Sequence, residues 1–183
     1  MKSIALLFAL MSSTVAYSAT TSQIVQAYLD QAEQQKLQHD ITWQRLMYAN
    51  EKGQSDVAYS GYFLAPEGQT QLKKELQANI QALFQSAEAN QSVRCRFPAR
   101  SHWLIQQLNI QQQDLPTVVC PELDDWIGQI KPYKATLIYA TDFMGNPSSM
   151  FGHTLLRLDP KDQKQLNLVS YAVNYAATVT SGE

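Results

Sequence analysis

The sequence predicts an α+β protein, a helical N-terminal region over residues 19–131 followed by the first antiparallel strands of a β-core over residues 132–183. Two observations predict it. Apolar residues recur at the three- and four-residue spacing of amphipathic helices up to about residue 130. At Pro132 the texture changes, and three apolar, β-branched runs follow one another between polar, turn-rich stretches. Of the 183 residues, 45% are hydrophobic and 16% charged, enough apolar material to bury a real core.

The first element is a leader. "MKSIALLFALMSSTVAYSATTS" carries one basic residue, Lys2, then an apolar run from Ile4 to Met11, then small residues, with Ala16 and Ser18 before a cut. About ten apolar residues are too few to cross a hydrocarbon core of roughly 30 Å, so residues 1–18 read as a cleavable signal peptide and the protein as exported. No cysteine follows the apolar run, which argues against a lipid anchor.

The mature chain then opens on helices. "SQIVQAYLDQAEQQ", with Ser22 as cap, places Ile24, Ala27, Tyr28 and Ala32 on one face. A second helix starts at Asp40, whose carboxylate can cap the exposed amides, and carries Trp43, Leu46 and Met47. "SDVAYSGYFLAPEG" lacks helical period and reads as a turn-rich connection. The clearest helix follows, "TQLKKELQANIQALFQSAEA", with Leu72, Leu76, Ile80, Leu83 and Phe84 in one stripe. That stripe reads as core packing, not as a cofactor box, and no cofactor is expected. Two short helices, "SHWLIQQL" and "ELDDWIGQI", complete the region, the second with acids in its first turn, where they suit the helix dipole. "KATLIYAT", "GHTLLRLD" and "LNLVSYAVNYAATV" are the strands, and "PKDQKQ" reads as the hairpin loop that makes the last two antiparallel.

Charge and cysteines narrow the function classes. Cleavage after Ser18 leaves 13 basic against 16 acidic residues, a balance that attracts no nucleic acid. The two cysteines, Cys95 and Cys120, lie in irregular, proline-flanked segments of an exported chain, which predicts a disulfide between them. The competing reading makes one of them a nucleophile. A bond between them excludes it.

The stretch "NPSSMFGHTLLRLD" holds the best chemical candidate, His153, at the head of a strand. A strand is a rigid mount, the small residues Ser149 and Gly152 leave room for a substrate before the ring, and imidazole titrates near neutrality. A hairpin centred near Asp162 sets His153 roughly opposite Tyr171, with Ser170 and Asn174 as candidates to hold one ring nitrogen; one residue of slip reverses every face. The alternative is a histidine that only makes structural hydrogen bonds. Ser148 or Ser149 could serve as nucleophile, but no GxSxG elbow is present. His39, His102 and His153 are far apart and no carboxylate shows ligand spacing, so no metal site is expected.

Taken in order, "YSGYFLAPEGQTQLKKELQA", "CRFPARSHWL", "CPELDDWI", "NPSSMFGHTLLRLD" and "LVSYAVNYAA" resemble the successive blocks of the Lnb N-terminal periplasmic domain family, from about Trp43 to the last residue. The resemblance implies an envelope protein with a core similar to circularly permuted papain-like folds, in which the histidine strand precedes the helix that bears the cysteine nucleophile. It implies that His153 is the base and that Asn174 or Ser170 is its polar partner. Because the family includes a lipoprotein N-acyltransferase, it further implies transfer of a fatty acyl group from a lipid or lipoprotein ester through a thioester, with a membrane surface nearby. The expected cysteine, in a block similar to "ENCSYxLL", lies beyond Glu183, so the chain is expected to be a fragment or a truncated product, inactive alone and prone to aggregate. The alternative function is a non-catalytic envelope binding or assembly module.

Overall fold

The computed structural model describes residues 20–140, 153–161 and 171–174. The expected signal peptide at residues 1–18, and Ser148, Ser149, Gly152 and Ser170, lie outside the described residues. Helices α1 (Thr21–Gln34), α2 (Ile41–Leu46), α3 (Leu72–Leu83), α4 (Val93–Arg96), α5 (Pro98–Gln107) and α6 (Pro121–Ile130) precede strands β1 (Lys134–Ala140), β2 (His153–Asp159) and β3 (Tyr171–Asn174). The architecture is the expected α+β, helices first and strands after. Among the described residues no helix is long and apolar enough to cross a membrane.

The described residues fall into two compact units. Those within Met1–Ser86 and Phe97–Thr117 form the first; those within Ala87–Arg96 and Val118–Glu183 form the second. The chain therefore leaves the second unit after Arg96 and re-enters it at Val118.

The first unit is a helical cluster around α3. Its stripe Leu72, Leu76, Ile80, Leu83 and Phe84 is buried, as the spacing predicts, and packs with Trp43, Met47, Leu104 and Leu108. Trp43 stacks on Trp103 with ring centroids 5.8 Å apart, and its indole N–H donates to the Leu72 carbonyl at 3.3 Å. That bond lets the polar edge of a fully buried ring go inside at little cost. The cap of α1 is Thr20, not Ser22. Thr20 Oγ1 accepts from the Gln23 amide while the Gln23 side chain accepts from the Thr20 amide, a reciprocal capping box. Asp40 caps α2 through the Thr42 amide at 2.7 Å, as expected. Tyr28 of α1 stacks on Phe84 and donates to Asp114 at 3.3 Å; burial, aided by the Asp114 carboxylate and partly opposed by a hydrogen bond with the Gln111 backbone, raises its phenol above the usual range.

The second unit joins α4 and α6 to a three-stranded sheet of order β1–β2–β3. Cys95 and Cys120 form the expected disulfide, with their Cα atoms 5.3 Å apart. Cys95 sits in the one-turn helix α4 rather than in an irregular stretch, and Cys120 is the residue before α6. Closing a loop of this length is worth about 3 kcal/mol in the chain-entropy description. Beside it, Asn90 Oδ1 accepts from the Glu122 amide at 3.1 Å and the Asn90 amide donates to the Val119 carbonyl, so the two cysteine segments are also hydrogen-bonded to each other. Burial holds the Arg94 guanidinium below its ordinary range.

Candidate functional site

His153 is the first residue of β2, where it pairs with Ala140 of β1. β2 runs antiparallel to both neighbours, and β3 pairs as Leu155 with Asn174 and Leu158 with Tyr171. The expected opposition of His153 and Tyr171 is therefore wrong. The hairpin centres between residues 164 and 165 instead of at Asp162, because the polar stretch between the strands does not set their register by itself.

The shift changes which positions share a face. With Asn174 opposite Leu155, and Leu155 two residues from His153, the positions of Asn174 and His153 lie on the same face of the sheet and diagonal to each other. Tyr171 and Val173 fall on the other face. The face of His153 also carries Thr136 and Ile138 of β1 and Leu155, Arg157 and Asp159 of β2; the first four are half-buried and Asp159 is buried. The opposite face presents Leu137, Tyr139 and Leu156, 71%, 61% and 38% exposed.

At the far end of the histidine face, Asp159 forms a polar anchor. It accepts from Thr136 Oγ1 at 2.8 Å, lies 2.7 Å from Arg157 Nε, and its backbone carbonyl takes the Tyr133 amide at 2.9 Å. The Thr136 bond crosses from β1 to β2, the Tyr133 bond ties the residue before β1 to the end of β2, and the Arg157 pair holds the carboxylate from within β2. Among the described residues no group of three or more His, Cys, Asp or Glu side chains converges as a metal site would require.

The first unit holds a buried polar cluster that the sequence reading passed over. Glu75 and Arg100 pair at 3.3 Å with side chains 0% and 3% exposed. The Glu75 carboxylate accepts from the amides of Leu64 and Ala65 and from Asn79 Nδ2 at 2.7 Å, while Arg100 Nη1 also donates to the Tyr62 carbonyl at 2.8 Å. The guanidinium carbon lies 3.9 Å from the Tyr62 ring centroid and 4.2 Å from that of Phe97. Gly68 is required here, since a Cβ would collide with the Glu75 carboxylate and approach Phe63 Cβ at 2.9 Å. The cluster ties the irregular segment before α3 to α3 and α5 at once. Its signal in the sequence was two polar residues, Glu75 and Asn79, inside the apolar stripe: Glu75 three after Leu72, and Asn79 three after Leu76 and four before Leu83.

Residues 35–107, which contain this cluster, match the model of a domain of unknown function (DUF7843). No curated protein and no solved structure matches the chain. Residues 122–183, the segment that holds β1, β2, β3 and His153, match the model of the Lnb N-terminal periplasmic domain, the family its motifs resemble.

Proposed function

We propose that the chain forms the N-terminal part of a periplasmic, cysteine-dependent acyltransferase or hydrolase that acts on lipid or lipoprotein acyl groups, exported by the cleavable leader at residues 1–18. The observation that carries this reading is the register, which sets His153 and Asn174 on one face of the sheet within the segment matched to the periplasmic family. Cys95 and Cys120 are bonded to each other and neither supplies the thiol, which this proposal assigns to a cysteine outside the given residues.

In the proposed reaction His153 takes the proton of that thiol, and the thiolate attacks the carbonyl carbon of an ester. The C–O bond breaks, the alcohol leaves with the proton held on the imidazolium, and a thioester remains on the enzyme. An amine or water then attacks the thioester and its proton passes to His153; the C–S bond breaks, the acyl group leaves as an amide or acid, and the imidazolium returns the proton to sulfur. Asn174 is the positioning residue that holds one ring nitrogen and so selects the tautomer.

The gene product carrying the downstream cysteine, incubated with a phospholipid bearing a labelled acyl chain, should accumulate a hydroxylamine-sensitive label on the protein. His153→Ala should abolish the label with the fold intact by circular dichroism, and Asn174→Ala, which removes only the group that orients the base, should slow labelling by about 10- to 100-fold, less than the roughly 100- to 10,000-fold that a general base itself contributes. Full labelling of the His153→Ala protein overturns the role of His153, and absence of label on the unsubstituted protein leaves the non-catalytic envelope module as the reading.

A further inference from the structure

Packing does not close the space between the first half of α1 and the end of α3. A cleft of about 320 Å³ lies there, within the first unit, just above the roughly 300 Å³ at which small-ligand sites begin. Its apolar lining is Val25 and Leu29, both half-buried, and Phe84, whose buried ring is held by the stack on Tyr28 with centroids 5.5 Å apart. Exposed neutral polar side chains stand around that lining, Ser22 and Gln26 from α1 and Gln81 and Gln85 from the end of α3. The Ser22 hydroxyl is not spent on the helix cap, which Thr20 supplies. Gln26 donates through Nε2 to Asp30 Oδ1 at 2.8 Å and keeps its carbonyl oxygen as an acceptor. Gln81 and Gln85 each add an amide able both to donate and to accept. Among the described residues no charged side chain lines the cleft.

We propose that this cleft binds one ring of an uncharged, N-acetylated sugar, its hydroxyl and acetamido groups bonded to Ser22, Gln26, Gln81 and Gln85 and its methyl and C–H groups against Val25, Leu29 and Phe84. Three observations select that chemistry. An ionised ligand would find no countercharge in the lining, which sets aside phosphates, carboxylates and ammonium groups. Amides and a hydroxyl both give and take hydrogen bonds, so they match a ligand whose groups do the same, whereas a hydrocarbon would cover them and leave them unpaired. The volume suits a single ring with a small substituent and not a longer chain. The site asks nothing of His153, so its failure and that of the proposed acyl transfer are separate results.

Titration of the purified protein with N-acetylglucosamine, followed by the NMR signals of its glutamine side-chain amides, tests this, with glucose, hexanol and inorganic phosphate as parallel arms. Saturable shifts are expected with N-acetylglucosamine, at least tenfold weaker binding of glucose, which lacks the acetamido group, and no saturation with hexanol or phosphate. Gln81→Leu combined with Gln85→Leu removes two of the amides at exposed positions and should weaken N-acetylglucosamine by at least tenfold. Absence of saturable N-acetylglucosamine binding, equal binding of glucose, hexanol or phosphate, or undiminished binding by the folded double variant each overturns the proposal; the first two need no variant.

Discussion

Glu75 shows how a single residue can be visible in a sequence and still be misjudged. The stripe of α3 was legible because Leu72, Leu76, Ile80, Leu83 and Phe84 repeat at helical spacing, and all five are buried. Glu75 and Asn79 interrupt that pattern on the same side, and their partners, the Leu64 and Ala65 amides and Arg100, come from segments no local pattern connects. Removing one member of a buried pair leaves the other charged and uncompensated, a loss of about 3–5 kcal/mol. Glu75→Ala should therefore lower the unfolding free energy by about that amount in urea titration, and a loss below about 1 kcal/mol would show that the cluster is not what holds α3 to α5. His153 was legible as a residue at the head of a strand. Its neighbours were not, because which face Asn174 shares depends on a pairing made across residues distant in sequence.

At the scale of elements, the reading was sound for kind and order and weaker for ends and registers. α5 begins at Pro98, earlier than its apolar pattern suggests, because proline suits the first helical turn, where no amide is needed. α1 begins at Thr21 with the cap at Thr20, two residues before the serine that looked like the cap. Both errors share a cause, since apolar spacing locates the middle of a helix while its ends depend on which side chain meets the first free amides. Thr20→Ala should remove the capping box and cost about 1 kcal/mol, whereas Ser22→Ala should be nearly neutral; the pair can be compared by thermal denaturation. The hairpin erred in the same way on a larger scale. Pairing direction followed from the short polar connection, but the five-residue displacement of its sum, from Asp162 to between 164 and 165, was set by contacts such as Leu155 with Asn174 and Leu158 with Tyr171.

For the whole molecule, one face of the sheet leaves Leu137, Tyr139 and Leu156 exposed while the other is largely half-buried, and among the described residues β1 and β3 are its edges. Exposed apolar strands with free edges invite association. Leu137→Lys combined with Tyr139→Lys places charge on that exposed face and should shift sedimentation from aggregate toward monomer with little change in melting temperature; unchanged aggregation would point to another surface. The disulfide has a different consequence, which follows from where the chain passes between units. Residues 97–117 form an excursion that departs just after Cys95 and returns just before Cys120, so the bond closes a covalent ring around it. A protease site inserted at the exposed turn Gln112–Asp114 should then yield a protein that runs as one band without reductant and as two with it. Separation of the pieces without reductant would mean that the ring had not closed in the cell. A cut in that excursion is thus a hinge opened in a closed loop, and severing the backbone there does not sever the molecule.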